Sequence, residues 1–294
     1  MQYTLKNEYL TVIFESLGGA LHSIKNQEGL EYLWQGDPGY WSGQAPVLFP
    51  ICGSIRDDKA ELEDGRIIQM PRHGLVRKRE FFCTKQTEDS VLFEFKSDDA
   101  MLCQYPFPFC LRICYTLKEH KITTKYMVEN LGDEDMPFFI GGHPGFRWPL
   151  YENEQSTDYE LIFEKEENCD VPFPITETGL IDMKHRMPFL NHQKKLQLTH
   201  QFFEKDAVIF DQLKSRSVTY QSSSHGKGVK IDFKDFPYFI IWSTQNEGPF
   251  LAMEPWIGLS TCNDENDQFE KKWNVQKAKS GQRKEYSFDI SILW

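Results

Sequence analysis

Apolar and polar residues alternate with a period of two in stretch after stretch of this chain. In "GVKIDFKDF", Val229, Ile231 and Phe233 point one way and Lys230, Asp232 and Lys234 the other. In "EYSFDISI", Tyr286, Phe288, Ile290 and Ile292 alternate with Glu285, Ser287, Asp289 and Ser291. "VLFEFK" (91–96) and "KKLQLTH" (194–200) repeat the pattern. Successive side chains of a strand face opposite sides of a sheet, so this period predicts half-buried strands of antiparallel sheets. Turn-forming clusters separate the runs: "NQEGLEY", "EDGR", "ENLGDED" and "SSSHGKG". Only "SDDAMLCQY" (97–105) suggests helix, of one or two turns, stopped by Pro106 and Pro108. The stretch 150–195 carries Pro172, Pro174 and Pro188 and reads as a loop-rich excursion between strand patterns. No repeat of 20–50 residues argues for a propeller, and no low-complexity linker divides the chain. The expectation is all-β: a single domain over 1–294, built as a large antiparallel β-sandwich with long functional loops.

Composition narrows the function classes. The 294 residues are enough to bury a sizeable core. Aromatics make up 14%, with 23 Phe, which suits pleated half-buried faces and equally a sugar-binding cleft. The net charge of −11 leaves no nucleic-acid footprint, since the basic stretches at Arg72–Arg79 and Lys271–Lys284 are short. The seven cysteines (52, 83, 103, 110, 114, 169 and 262) are odd in number and form no CxxC pair, so free reduced thiols are expected. The start, "MQYTLKNEYL", has no charged-then-apolar leader, and no apolar run approaches the roughly 18 residues of a membrane span. The expected setting is cytoplasmic, as a monomer or homodimer, with a small-molecule partner and neither nucleic acid nor membrane.

Four stretches join rigid backbone residues to titratable or polar side chains. "PVLFPICGSIRDDK" (46–59) brackets an apolar strand with prolines and then offers Arg56, either a donor to substrate hydroxyls or a solvated loop arginine. "PRHGLVRKREF" (71–81) puts His73 before Gly74, where the backbone can turn sharply. "GGHPGFRWPL" (141–150) sets His143 among glycines and before Pro144, which restricts it to extended geometry. That is either an ordinary loop or an imidazole held out into a cleft. "LAMEPWIGLSTC" (251–262) ends an apolar run with Glu254, directly before Pro255 and Trp256. A carboxylate there is costly unless paired, or else it points into water at a strand end. "SSSHGKG" lacks the following helix of a phosphate-binding loop and reads as a hairpin turn, while His185, His192 and His200 read as surface.

Taken in order, "FPICGSIRDDK", "RHGLVR", "GGHPGF" and "EPWIGLS" resemble the aldose 1-epimerase (galactose mutarotase) family, in particular a LacX-like branch. "ESLGGALHSI" (15–24) is similar to the family's opening strand pair and "KDAVIFDQL" (205–213) to a later segment. The resemblance implies a galactose mutarotase-like supersandwich that interconverts the α and β anomers of an aldohexose by acid–base ring opening, without a cofactor or metal. It implies His143 as general acid and Glu254 as general base, on opposite sides of the anomeric centre. It further implies Arg56, His73 and Trp256 at the substrate. Asp206 is the candidate cleft aspartate, with Asp211 as the alternative. Gly142-His143 stands where the galactose enzymes have Asn-His, so the sugar is not fixed. Three other readings remain. One is a hexose-6-phosphate mutarotase using Arg56, Arg72, Arg77 or Arg147. Another is a carbohydrate-binding or sensing protein without turnover, for which an acid–base pair is superfluous. The last is a metal enzyme ligated by His73, His143 and Glu254. Acid–base ring opening needs no Lewis acid. Anomerase activity, followed by polarimetry, should therefore survive exhaustive chelation; complete loss restored by one divalent ion would establish the metal reading.

Overall fold

The computed structural model describes residues 1–294. Its largest element is a nine-stranded antiparallel sheet. The centre of that sheet is made by Phe109–Lys118, Lys121–Asn130 and Arg283–Leu293. Lys121–Asn130 alternates half-buried and buried residues along its whole length, as the period of two predicts. Gly228–Asp232 and Ser217–Ser222 continue the sheet on one side, joined by the "SSSHGKG" turn. Ser90–Lys96 and Phe82–Gln86 extend it on the other.

Two smaller sheets pack on one face of the large one. A three-stranded sheet, Gln2–Lys6, Leu10–Glu15 and Ala20–Asn26, includes the expected opening strand pair. A six-stranded sheet gathers short segments: Val47–Leu48, Gly141–Gly142, Gly145–Arg147, Val208–Phe210, Tyr238–Trp242 and Phe250–Trp256. Aromatic rings join the layers: Phe14 meets Tyr115 at 4.5 Å, Phe49 meets Phe109 at 4.8 Å, and Phe233 stacks on Phe239 at 4.6 Å. Burying each such ring is worth roughly 1.5–3 kcal/mol. The result is one core cluster of 75 buried residues. All seven cysteines are unpaired. No helix is long and apolar enough to cross a membrane.

The segment read as a loop-rich excursion is instead the longest hairpin in the chain, Tyr159–Ile175 with Leu180–Gln197. Only Tyr159–Phe163 pairs onward into the large sheet. Beyond that the hairpin is a two-stranded ribbon with several register shifts, touched along its outer edge only by a parallel bridge of Ile181 to Cys262. Prolines are tolerated where no neighbouring strand demands their missing N–H, and Pro172, Pro174 and Pro188 all lie there. Helix is confined to Asp99–Leu102 and four short 3₁₀ turns. His185 and His192 are exposed, but His200 is half-buried against Trp148, with ring centroids 4.2 Å apart.

Gly74 is the tightest backbone crossing near the candidate residues. It has φ +79°, and a Cβ there would lie 2.2 Å from the Phe49 carbonyl oxygen. Gly65 has φ +84° but open space around it. Gly65→Ala should therefore cost only the left-handed backbone penalty, roughly 1–2 kcal/mol. Gly74→Ala should cost clearly more, because a backbone carbonyl has to move. Thermal melts of the two variants test the difference, and equal Tm losses would refute it.

Candidate functional site

Register builds the centre of the site. Gly141 pairs with Trp256 and Gly145 with Ala252, without a shift between them. His143 therefore lies directly opposite Glu254, a cross-strand pair on one face. Along Phe250–Trp256 the residues Phe250, Ala252, Glu254 and Trp256 share that face, by the same alternation that defines any strand. The neighbouring strand sets Ile240 opposite Glu254 and Trp242 opposite Ala252. Gly142 faces the other way, where a Cβ would lie 2.9 Å from the Phe288 ring. The glycines around His143 thus let this segment press against the large sheet while the imidazole turns outward.

The residues converge on a cleft of about 300 Å³. That volume is at the small end for ligand sites and suits a single small molecule. Its walls carry His73, His143, Asp206, Glu254 and Trp256, together with Trp41, Trp242, Arg72 and Arg77. His143 Nε2 lies 3.2 Å from Glu254 Oε2. The Trp41 ring covers the His143 ring at 4.9 Å, and Trp242 meets it edge-on at 5.6 Å. His73 stands edge-on to both His143 and Trp256, at 5.4 and 5.5 Å.

Five of the six expected site residues meet here, and Arg56 does not. Its guanidinium is turned away from the cleft and donates to the carbonyls of Cys262 (3.0 Å), Asn263 (3.2 Å) and Glu265 (3.2 Å). It also pairs with Asp267 Oδ1 at 3.1 Å. A loop of unsatisfied carbonyls needs donors, and the five N–H groups of an arginine supply them. Of the two aspartates, Asp206 lines the cleft, while Asp211 is held by Arg186 at 2.7 Å. Asp206 has φ +126°, a strained conformation, and approaches Arg72 Nη1 at 3.8 Å. Arg147 lies outside the cleft lining. Glu254 is not a solvent-facing strand end either: the strand runs on through Pro255 to Trp256, and the carboxyl is 1% exposed.

Trp41 and Trp242 were not singled out by sequence. Trp41 sits in the turn-rich "GDPGYWSG", and Trp242 closes the apolar "YFIIW" just before a polar turn. A large aromatic beside a turn was the signal available. Arg72 and Arg77 flank His73, and the fold brings both to the cavity.

Burial governs the protonation states. It raises the Glu254 carboxyl well above the ordinary range, against the pull of Arg72. It lowers His143 to about 3 and His73 well below its usual value, the latter helped by His143. Burial, with Arg72 beside it, also lowers Arg77. Both histidines are neutral at pH 7. Donors face both ring nitrogens of His73: the Gly53 N–H is directed at Nδ1 at 3.2 Å and the Arg72 Nε–H at Nε2 at 3.4 Å, the nearer one favouring the tautomer protonated at Nε2.

A family model described as aldose 1-epimerase matches residues 1–276, and the chain belongs to that family. It is 50% identical over 298 residues to the chromosomal protein LacX of Lactococcus lactis subsp. lactis, with both chains covered in full. The plasmid LacX of the same organism is also 50% identical, over 301 residues. A galactose mutarotase related enzyme from Lactobacillus acidophilus superposes with a TM-score of 0.93 at 27% identity, covering 100% of this chain and 98% of that one. A galactose mutarotase-like protein from Lactobacillus casei gives 0.89 at 26% identity, covering both chains fully. The fold is accordingly the galactose mutarotase-like β-sandwich.

Site-specific NMR checks the electrostatics. Imidazole ¹⁵N shifts should report His73 and His143 as neutral from pH 8 down to pH 5. The Glu254 carboxyl ¹³C resonance should titrate above the ordinary value of 4.5. A charged His143 at pH 7, or a Glu254 that titrates normally, would contradict the account.

Proposed function

We propose that the protein is an aldose 1-epimerase that interconverts the anomers of an aldohexose, with Glu254 as base and His143 as acid. The observation that carries this reading is a dry carboxyl 3.2 Å from an imidazole on the wall of a sugar-sized, tryptophan-lined cleft. The hydroxyl oxygen O1 and the ring oxygen O5 are bonded to the same carbon, C1. An acceptor and a donor standing side by side can therefore serve both oxygens.

The proton balance follows from the neutral imidazole. Glu254, ionised, takes the proton from O1–H as the C1=O bond forms and the C1–O5 bond breaks. The same proton passes across the short gap to His143, which delivers it as imidazolium to O5. Rotation about C1–C2 and the reverse sequence close the other anomer. The Nε2–H of His73 donates a hydrogen bond to a sugar oxygen, Asp206 accepts from a hydroxyl, and Trp256 offers an apolar face. Excluding water from the pair strengthens each of these interactions.

Glu254→Gln and His143→Asn should each lower kcat by roughly 100-fold or more while sugar still binds. His73→Asn should raise KM more than it lowers kcat. Activity should fall as pH drops through the raised pKa of Glu254, so the acidic limb lies above 4.5, and His143 adds no basic limb. Polarimetry of freshly dissolved α-sugars measures all of this. Near-wild-type kcat in folded Glu254→Gln would end the assignment, and saturable sugar binding without turnover in the wild type would favour a sensor.

A second reading has one observation behind it. Arg77 lines the cleft beside Arg72, and only Arg72 has a carboxylate near it, Asp206. An unpaired guanidinium there suits a phosphorylated hexose. The net charge of −11 and the absence of a phosphate-binding loop favour neutral sugars. Comparing kcat/KM for glucose and galactose with their 6-phosphates decides between them. A tenfold advantage for an ester, about 1.4 kcal/mol, would reverse the ordering.

A further inference from the structure

The arginine that the cleft excludes is tied to the cleft from behind. Its four acceptors span Cys262–Asp267, the loop that leaves the Glu254 strand. The two residues just before that loop hold a strap, Gly53–Ser54. Ser260 Oγ accepts the Ser54 N–H at 2.9 Å, and the Thr261 N–H donates to the Ser54 carbonyl at 2.8 Å. Gly53 is pressed so close that a Cβ there would lie 2.2 Å from Ser260 Oγ. The other side of the strap grips His73: the Gly53 carbonyl accepts the His73 N–H at 2.8 Å, and the Gly53 N–H donates to Nδ1 at 3.2 Å. His73 itself has φ +70°, a conformation that persists only when its surroundings impose it.

We propose that Arg56 is a positioning residue: by closing the Cys262–Asp267 loop it holds the Gly53–Ser54 strap, and through the Gly53 N–H it fixes His73 as the Nε2–H tautomer. The tautomer is a real choice, because N–H donors face both ring nitrogens. Arg72 Nε lies 3.4 Å from Nε2. A neutral imidazole accepts at one nitrogen only. While the strap is in place, Gly53 claims Nδ1 and Nε2–H is available to a ligand. When the strap slackens, the Arg72 Nε–H, already directed at Nε2, is left as the one donor to the ring, the proton moves to Nδ1, and the cleft loses a donor.

The kinetic arm of the test rests on the epimerase reading; the spectroscopic arm does not. Full-length protein labelled with ¹⁵N-histidine is compared as wild type, Arg56→Ala, Arg56→Lys and Ser260→Ala at neutral pH. Wild-type His73 should show one neutral tautomer, protonated at Nε2. In Arg56→Ala and Ser260→Ala its two nitrogen shifts should converge, as they do for a mixture of tautomers. Arg56→Lys, which keeps the charge but not the fork, should fall between. KM for the best sugar should rise roughly tenfold in Arg56→Ala, with kcat changed far less. Arg66→Ala removes an exposed arginine paired with Asp64 and Glu134, and should leave His73 as it is. If folded Arg56→Ala, or Arg56→Lys and Ser260→Ala should the alanine variant not fold, leaves the His73 shifts on those of the wild type, the proposal is wrong. It is equally wrong if Arg66→Ala moves them as much, since the effect would then be general destabilisation. A chain that fails to turn over sugar but shows the tautomer shift would sink the epimerase reading and leave the positioning role standing.

Discussion

The site depends on a carboxyl kept out of water. Glu254 sits inside a strand whose seven residues are all buried. An ion in such a place costs several kcal/mol, against a net folding stability of about 5–15 kcal/mol for a typical domain. The fold moderates this cost without removing it. Arg72 supplies a distant cation, His143 supplies a ring nitrogen, and the carboxyl settles toward its neutral form. The same desolvation makes the carboxylate, when ionised, a stronger base than an exposed one, which is the property the proposed epimerase would use.

The small residues around the pair belong to the same constraint. His143 can face Glu254 only if its own segment fits closely between that strand and Val47–Leu48, with its back against the large sheet. Gly141 and Gly142 allow this, since a Cβ on Gly141 would meet Trp256 Cδ1 at 2.9 Å and one on Gly142 would meet Phe288. Ala252 leaves room on the cleft face for Trp242 and Trp41. The tryptophans then exclude water from the imidazole, and exclusion of water is what lowers its pKa. Packing between sheets and protonation at the site are therefore not separable.

Charge is distributed against the overall sign. The chain carries −11, yet the cleft sets Arg72 and Arg77 against Asp206 and a Glu254 whose buried carboxyl titrates above the ordinary range. The local field has to be read from the residues that converge, not from composition. Arg56 illustrates the other outcome. Its motif lies beside the site in sequence, but the loop after the Glu254 strand presents three carbonyls and a carboxylate, and the guanidinium goes to them.

Strand positions, turns and the all-β class were legible along the chain because alternation is a local consequence of backbone geometry. His73, His143 and Glu254 were legible too, since Gly, Pro and a stranded carboxylate mark places where ordinary packing rules are broken. The proline-bearing ribbon at 159–197 was not, because whether a proline is tolerated depends on what flanks the strand. Nor were Trp41, Trp242 and the choice between Asp206 and Asp211, which turn on residues far away in sequence. Residue order fixes which side chains alternate and which reactive groups are on offer. Folding decided which groups share one cleft, that His143 and Glu254 meet, and that burial raises the carboxyl pKa and lowers the imidazole pKa. Those facts follow from strand register and desolvation, and both are properties of neighbours that only folding supplies.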